Sequence, residues 1–309
     1  MSKSIEKVPA IKNGYVPSVL LLGNGIARTF GGKSWEKIVT DRLEKYNSPY
    51  SYKEIEDVPA TMQIVLATND HVSEEMRSIA EDLRKHTVEG EEKDFVHKVL
   101  EIPADAVLTT NYDYDLEQSW GLKSSNYYFQ RCRRWTKSVT GKEKQFNLYQ
   151  YSLVGPESDR KRIWHIHGDI TFYKSMVMGH YYYGKLLSQI EHYVSDCVAR
   201  YKRAESTGQA FSPISWVDYF LTGNVYILGL EMYLAETDLW WLACCKKRNF
   251  PDTKVYFYKS DGSPRRNCQM MMQAYNFQHI ILHFGEDEDR YKDYYLLAAR
   301  DISERMATK

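Results

Sequence analysis

The sequence has few cysteines, and their spacing is not that of a metal-binding or disulfide-linked fold. Only five cysteines occur among 309 residues, and no two of them form a CxxC pair. An odd number of cysteines without framework spacing is typical of free thiols in a reducing compartment. A four-cysteine zinc ribbon is excluded, because its ligands come from CxxC pairs.

The chain also lacks a net charge, a long apolar run and an apolar N-terminal segment. The 41 Lys and Arg residues equal the 41 Asp and Glu residues in number, which argues against bulk binding to nucleic acid or to an anionic membrane. No apolar run approaches the roughly 18 residues of a membrane span, and the N-terminus lacks the apolar region of a signal peptide. We therefore expect a cytoplasmic protein. Its neutrality favours self-association or a protein partner.

Aromatic residues, by contrast, are plentiful. The chain has 25 Tyr, 11 Phe and 7 Trp residues, and together they make up 14% of the sequence. Tyrosine has an apolar ring and a polar hydroxyl, so it suits protein interfaces and wet pockets. A chain of this length buries a large core, so the fold needs no disulfide or metal for its stability.

Short apolar runs alternate with longer amphipathic patterns along the chain, which predicts an α/β fold with a parallel sheet covered by helices. Residues 61–100 have the periodicity of helices, and residues 121–160 have the mixed composition of short antiparallel strands or loops. The predicted core strands cover residues 18–22, 106–109, 163–167, 225–228, 254–258 and 279–283, with a further strand at 176–178 and helices from residue 34, at 186–198, at 235–248 and at 287–305.

Most of these strands end in a polar or glycine-containing cluster. In an open parallel sheet, ligands bind outside the carboxyl ends of the strands, so we expect the clusters to surround one cleft. Each cluster alone is a weak signal, and their convergence is the stronger one. The clusters are GNG at 23–25, TNYD at 110–113, HGD at 167–169, GLE at 229–231 and KSDG at 259–262.

The first cluster indicates a phosphate-binding turn. Gly23, Asn24 and Gly25 follow a strand, and glycines there allow backbone N–H groups to approach a pyrophosphate. The motif is incomplete, because Arg28 stands where a GxGxxG motif has its third glycine. Arg28 is itself a candidate phosphate ligand. The alternatives are an ordinary tight turn and a solvated arginine.

The second and third clusters contain the candidate catalytic residues. Asn111 is expected to orient a water or a ribose hydroxyl, and Asp113 to anchor the loop or contact a sugar, although an Asx turn explains both. His165 and His167 lie two apart on the predicted strand, so their side chains share one face. His167 is beside the cleft and suits a general base, whereas His165 suits a structural role. A metal site is not expected, because no third ligand is evident.

The remaining clusters offer polar contacts for a nucleotide. Glu231 and Asp238, with Ser260 and Asp261, would lie beside the first glycine turn and contact a ribose or adenine. The competing interpretation is helix capping, since acids favour the first turn of a helix.

Together, four ordered strings resemble the SIR2 family, and more closely its SIR2-like NAD-hydrolysing branch in bacterial anti-phage defence. They are LLGNGIAR with Trp35 ten residues past Gly25, TTNYD at 109–113, IWHIHGD at 163–169 and YILGLEMYLAETDLWWL at 226–242. The chain departs from sirtuins in having GNG for GAG and Ala27 for a serine, and in lacking the zinc ribbon. That ribbon helps to build the acyl-peptide cleft, so its absence places deacetylation in doubt.

The resemblance implies a Rossmann-like fold of residues 1–309 as one domain, with a helical insertion at 40–100. It implies NAD as substrate, no metal, and hydrolysis to nicotinamide and ADP-ribose. Asn111 and His167 take the catalytic positions, and a partner or an oligomer is expected to restrain the toxic activity. The residues expected to bind the cofactor match the family's cofactor-contacting positions or lie beside them. They are Gly23, Asn24, Gly25, Arg28, Thr110, Asp113, Gly229, Glu231, Ser260 and Asp261.

Three alternatives stay open. The chain could be a sirtuin-type protein deacylase, or a module that binds NAD or ADP-ribose without turnover and assembles with a partner. The third is nucleic-acid binding through the basic run at 131–134. A short run of this kind in a neutral chain is more typical of a solvated loop or a partner contact.

Overall fold

A computed structural model of the chain describes residues 8–121, 129–131, 146, 148–259, 265–283 and 290–308. These residues form one eight-stranded sheet with helices on both faces, which confirms the predicted fold class. The strands are β1 (Ser18–Leu22), β2 (Ala106–Thr109), β3 (Phe129–Arg131), β4 (Gln150–Val154), β5 (Lys161–His165), β6 (Asn224–Leu228), β7 (Val255–Lys259) and β8 (Phe277–Ile281).

Twelve α-helices are present in this described part of the chain, with 3-10 turns at Glu157–Asp159 and Tyr173–Ser175. The helices are α1 (Gly25–Arg28), α2 (Trp35–Lys45), α3 (Tyr52–Ile55), α4 (Ala60–Ala67), α5 (Val72–Leu83), α6 (Gly90–Leu100), α7 (Asp115–Ser119), α8 (His180–Thr207), α9 (Trp216–Thr222), α10 (Thr237–Asn249), α11 (Arg266–Ala274) and α12 (Arg290–Ala307).

The strand order places the first strand in the middle of the sheet. The order is β3-β4-β5-β2-β1-β6-β7-β8, and the six strands from β5 to β8 in this order are parallel. The pairs β3–β4 and β4–β5 are antiparallel, as the composition of residues 121–160 predicts. Because the chain leaves β1 toward β2 and later returns on the other side to β6, the strand order reverses beside β1. Ligand crevices in open α/β sheets lie at such a switch point.

The central strands are buried on both faces, which explains their continuous apolar sequences. Every residue of β1 is buried. Val19 and Leu21 pack in one core cluster with α8, α9 and α10, while Leu20 and Leu22 pack on the opposite face with α6 and α12. The side chains of a strand alternate between the two faces, so one apolar run supplies both halves of the core.

Residues 35–100 form helices α2 to α6, as their periodicity predicts. Ser34 caps α2, because its Oγ accepts a hydrogen bond from the Lys37 backbone N–H at 3.1 Å. Part of this region has its own small core around Ile64, Met76 and Ile79 of α4 and α5. Its status as an insertion within a single domain stays a prediction.

Three strand predictions differ from the structure, one of them because the strand predicted at 279–283 lies two residues earlier, as β8. Residues 176–178 form no strand, because they pack as an extended connection after the 3-10 turn at Tyr173–Ser175. Strand β5 ends at His165, two residues before the predicted end. The chain turns there, since Gly168 has a φ of +83° and a side chain at this position would collide with the Ser175 carbonyl.

Within the described residues, no helix has both the length and the apolar composition that a membrane crossing requires.

Candidate active site

A cavity of about 490 Å³ opens at the carboxyl ends of the parallel strands. The volume is in the range of small-molecule sites. Residues that follow β1, β2, β5 and β6 line it, and the pairing register explains why they meet. Leu22 is paired with Thr109 and with Leu228, and Thr109 with His165, so these strands end at one level. The predicted convergence of the clusters on one cleft is therefore confirmed for the described residues.

Asn111 contributes a polar atom to the cavity wall. Its side chain is largely buried, and its Oδ1 atom has no hydrogen-bond partner among the described residues. The backbone fixes the residue on both sides, because its N–H donates to Thr109 Oγ1 at 3.1 Å and its carbonyl lies 2.8 Å from His165 Nδ1. Because an unpaired buried acceptor is costly, Asn111 Oδ1 is suited to accept a hydrogen bond from a ligand hydroxyl or a water.

Asp113 is on the same loop, half-buried, and also lines the cavity. Burial and the neighbouring Asp115 carboxylate raise the pKa of Asp113 to about 7. Its Oδ1 atom accepts a long hydrogen bond of 3.4 Å from the Asp115 backbone N–H, which is the Asx-type contact that the alternative interpretation expects. Thr110 lies beside Asn111, and its backbone N–H donates to Leu22 of β1 at 3.2 Å.

His167 is held by a carboxylate that comes much later in the chain. Its Nε2 atom lies 3.0 Å from Oδ2 of Asp238, in the first turn of α10. Asp238 is fully buried and His167 nearly so. Burial disfavours the imidazolium, but the charge and hydrogen bond of Asp238 outweigh burial and raise the pKa of His167. The pair thus orients the imidazole at the cavity wall and makes it a stronger base than a free histidine.

His165 does not share a face with His167, so this prediction is wrong. Its Nε2 atom lies 3.0 Å from Oε1 of buried Glu117 on α7. His167 instead contacts α10 and the ring of Tyr183 on α8, at 5.3 Å between ring centroids, on the opposite side of the sheet. The reason is the turn at Gly168, which ends the strand geometry before His167. The structural role predicted for His165 agrees with these contacts.

A second carboxylate stands close to the His167–Asp238 pair. Glu236 precedes α10, lines the cavity, and its Oε2 atom accepts a hydrogen bond from the Tyr183 hydroxyl at 3.3 Å. Burial and the Asp238 charge raise the pKa of Glu236, although His167 opposes them. Tyr112 lies nearby, and its hydroxyl donates to the Val177 carbonyl at 2.8 Å. This part of the wall therefore combines one acid, one histidine and two tyrosines, and the buried Asp238 carboxylate lies directly against the histidine.

The glycine turn after β1 packs tightly against the turn after β6. The N–H of Gly23 donates to the Leu228 carbonyl at 3.0 Å, and the N–H of Gly25 donates to the Gly229 carbonyl at 2.9 Å. A side chain on Gly25 would lie 2.9 Å from the Gly229 Cα atom, and one on Gly23 would collide with the Gly229 carbonyl. These glycines are thus required by close backbone packing. Because the N–H groups of Gly23 and Gly25 already donate to these carbonyls, a pyrophosphate at this turn would be bound through other groups.

The cavity wall contains cations that suit an anionic ligand. Lys259 Nζ is paired with Glu231 at 2.8 Å, and Lys33 lies 3.8 Å from Asp41. In the part of the chain that the structure describes, Arg28 forms no ion pair and lies exposed at the cavity. It is therefore the cavity cation that is most available for phosphate.

The structure brings together most of the predicted site residues. Gly23 is the described exception, because it lies behind the wall against Gly229. Ser260 and Asp261 lie outside the described residues, as do most of the basic run at 131–134 and Gly262. The helical region closes one side of the cavity through Trp35, Ile38 and Thr61. The described cavity residues from the prediction are Asn24, Gly25, Arg28, Thr110, Asn111, Asp113, His167, Gly229 and Glu231.

The comparison with known families agrees with this arrangement. Residues 105–207 match the family model of the SIR2-like domain. The matched SIR2-like segment contains both Asn111 and His167, and the match supports a function related to NAD. Among curated proteins, none matches the chain significantly.

The sequence interpretation missed the partners of His167. The sequence predicts Asp238 as a nucleotide contact or a helix-capping acid, Glu236 only as a capping acid, and Tyr183 only as one of several tyrosines near the cleft. The only sequence signal for these acids is the helix start at residue 237, shortly after the polar GLE cluster. A helix start does not indicate which strand end its acids face, because their position depends on the packing of α10 against α8 and the sheet.

Proposed function

We propose that this chain is an NAD⁺ glycohydrolase, which cleaves the nicotinamide–ribose bond with water to give nicotinamide, ADP-ribose and a proton. The observation that carries the proposal is the placement of Asn111 and His167 on one cavity, with His167 bound to the buried carboxylate of Asp238. The match of residues 105–207 to the SIR2-like domain supports NAD as the ligand.

In this proposal, Asn111 and His167 act on the ribose and the water. Asn111 Oδ1 accepts a hydrogen bond from the attacking water or a ribose hydroxyl. His167, in its neutral form, removes the proton that the water or hydroxyl loses, a contribution of roughly 10²–10⁴ in rate. Asp238 is a positioning residue, since it holds the imidazole in one orientation and stabilises the imidazolium that forms.

The acids beside His167 favour the departure of nicotinamide. The nicotinamide ring of NAD⁺ is positively charged, and cleavage of its bond to ribose moves positive charge onto the sugar. Glu236 lines the cavity with His167, and Asp238 contacts His167 from behind the wall, so their negative charge stabilises the oxocarbenium-like transition state. Nicotinamide leaves as a neutral molecule, so it needs no proton donor.

The diphosphate and the adenosine are proposed to extend from this end across the sheet. Arg28 follows the glycine turn at the centre of the cleft and binds the diphosphate. Glu231 follows β6 and Lys259 is the last residue of β7, so both lie on the side of β1 away from Asn111 and His167. We place the adenine ribose on this side. Thr110, Asp113 and Gly229 line the cavity between the adenine ribose and the catalytic pair.

We further propose that the activity depletes NAD in anti-phage defence, as the resemblance to SIR2-like defence enzymes implies. An unrestrained NADase would be toxic to its own cell. A partner protein or an oligomer of this chain therefore holds the activity in check until infection. The zero net charge and the tyrosine excess support such an assembly.

The decisive experiment is to incubate the purified protein with NAD⁺ and to measure nicotinamide and ADP-ribose, alone and with proteins that copurify from the native host. We expect hydrolysis in at least one state, and loss of at least about 10²-fold in Asn111→Ala and His167→Ala. A protein that consumes no NAD⁺ in either state contradicts the proposal.

The same assay separates the alternatives. A protein deacylase needs an acetyl-peptide, so hydrolysis without peptide excludes that requirement. A binding module without turnover would bind NAD or ADP-ribose and release no nicotinamide. Expression of His167→Ala in cells gives a second readout, because retention of full toxicity in this variant would contradict catalysis by His167.

A further inference from the structure

The acids beside His167 carry more negative charge than their surroundings balance. Asp238 is fully buried and Glu236 half-buried, and among the described residues neither forms an ion pair with a lysine or arginine. His167 contributes at most one positive charge, and the start of α10 about half a charge. A net negative charge remains, and the Asp238 Oδ1 atom is buried with no hydrogen-bond partner from the described ranges.

The three side chains also have the spacing and chemistry of a metal site. One ligand atom from each of His167, Glu236 and Asp238 can be chosen so that all three lie within 4.8 Å of one another. Imidazole nitrogen and carboxylate oxygens are ligands of Zn²⁺, which binds three protein groups and leaves a fourth position for water or substrate. With zinc–ligand distances of about 2.1 Å, tetrahedral ligand atoms are about 3.4 Å apart, so the 3.0 Å between His167 Nε2 and Asp238 Oδ2 requires only a small shift. The Glu236 ligand atom, within 4.8 Å of the other two, must approach them by at most about 1.4 Å.

We propose that His167, Asp238 and Glu236 form a Zn²⁺ site in the cleft and that the bound ion inhibits the enzyme. Zinc bound to the imidazole occupies the lone pair with which His167 would accept a proton, and its charge repels the cationic nicotinamide. The inhibitory part of this inference rests on the proposed NADase activity, whereas the binding part does not. The site departs from the sequence-based expectation of no metal, because Asp238 and Glu236 join His167 only in the folded chain.

A second group of similar composition serves as an internal comparison. His86, Glu92 and Asp115 also cluster, but there the imidazole lies between the two acids, with Nδ1 3.2 Å from Asp115 and Nε2 3.4 Å from Glu92. A protonated His86 hydrogen-bonds to Asp115 and forms an ion pair with Glu92, so both of its nitrogens are engaged by acids and neither is left for a metal. Each group has one buried carboxylate oxygen without a partner among the described residues, Glu92 Oε1 here and Asp238 Oδ1 in the cleft. The difference lies in the imidazole, because only one nitrogen of His167 contacts an acid.

The test is direct metal binding to the protein after removal of metals with EDTA. Calorimetric titration with ZnCl₂, repeated with Co²⁺ to record its visible absorption, is expected to give one site in the wild type. Asp238→Asn and Glu236→Gln are expected to weaken zinc binding by at least about tenfold. Glu92→Gln is the matched control, because it removes the same charge from the second cluster and should leave the binding unchanged. Thermal melting of each variant verifies that it is folded.

The outcomes separate the inference from the proposed function. Inhibition of nicotinamide release by zinc that is competitive with NAD⁺ and reversed by EDTA supports both the zinc site and the proposed NADase activity. Zinc binding that depends on Asp238 and Glu236, in a protein without NADase activity, supports the site and contradicts the function. An active enzyme that binds no zinc, or whose zinc binding is lost in Glu92→Gln and kept in Glu236→Gln, overturns the site. Activation by zinc overturns the inhibitory role.

Discussion

The Nε2 atom of His167 lies 3.0 Å from the Oδ2 atom of Asp238, a buried carboxylate 71 residues later in the chain. This contact joins the turn after β5 to the first turn of α10. It gives His167 an electrostatic environment that a histidine at a strand end would not otherwise have, and it determines how the proposed reaction should depend on pH.

We predict that Asp238→Asn moves the acid limb of the pH profile for kcat/KM to lower pH. The neutral form of His167 is the base, and Asp238 raises the pKa of its conjugate acid, so wild-type activity rises with pH through a value above about 6.5. The asparagine removes the stabilising charge while burial persists, so the pKa falls. We also expect kcat to fall, by up to the roughly 10²–10⁴-fold that a general base contributes.

Nicotinamide release measured across the pH range gives both quantities. Asp196→Asn makes the same chemical change on the exposed side of α8, where Asp196 pairs with Arg200 at 2.8 Å, and should alter neither quantity. An unshifted acid limb in Asp238→Asn would mean that the limb reports another group.

Arg28→Gln is predicted to weaken NAD⁺ binding without disturbing the chemical step. Arg28 lines the cavity beside the glycine turn and is proposed to bind the diphosphate. A lost charge-assisted hydrogen bond costs about 1.5–3 kcal/mol, so we expect KM to rise by about 10–100-fold with kcat nearly unchanged. Steady-state kinetics measure the two separately. Arg203→Gln, on an exposed turn of α8, is the matched control, and equal KM values for the two variants would contradict the assignment.

Lys246→Met is predicted to destabilise the fold by about 2–4 kcal/mol. The buried Lys246 ammonium donates to the carbonyls of Phe220 and Leu221 at 3.0 Å each and to that of Gly223, at the end of α9. Methionine retains the apolar stem and leaves these carbonyls without their donor. Urea unfolding measures the loss. Lys247→Met, whose exposed ammonium contacts one carbonyl, should change the stability by less than about 1 kcal/mol.

His86→Gln is predicted to flatten the stability of the protein between pH 6.5 and 9. Its hydrogen bond to Asp115 and the nearby acids raise the pKa of His86 from 6.5 to about 9 despite partial burial. The stabilisation is therefore complete below pH 6.5 and is lost as the pH rises through about 9. The urea midpoints of variant and wild type should differ most below this window and converge above it.

His192→Gln provides the comparison for that experiment, because His192 is 80% exposed on α8. A difference between wild type and His86→Gln that stays constant from pH 6 to pH 10 would show that the charge of His86 does not stabilise the fold.

Much of the fold follows from local sequence. The predicted strand at residues 18–22 coincides with β1, and that at 106–109 coincides with β2, because a continuous apolar run bounded by polar residues is a local signal. The error at residues 176–178 has the same origin. An apolar triplet can fill a core as an extended connection, and only the neighbouring elements determine whether it finds a strand to pair with.

The part of the site that lies directly after the strands was predictable, because strand ends are also a local signal. Asn111, His167 and Gly229 each follow a strand, and the carboxyl ends of parallel strands meet at one edge. Asp238 is a candidate nucleotide contact from the sequence, but its pairing with His167 and the nearby position of Glu236 were not predictable, since acids in a first helical turn are common and usually serve as caps. Their approach to His167 depends on where α10 packs.

The amino-acid order alone is enough to predict the succession of strands and helices, the polar ends of the strands and the candidate pair of Asn111 and His167. These properties depend on the two-residue and 3.6-residue periodicities, which act over a few neighbours. Three relationships appear only in the folded chain: His165 and His167 face opposite sides, Gly23 and Gly25 pack against the β6 turn, and Asp238 binds His167. Those relationships join segments far apart in the chain, and strand order and helix packing fix them.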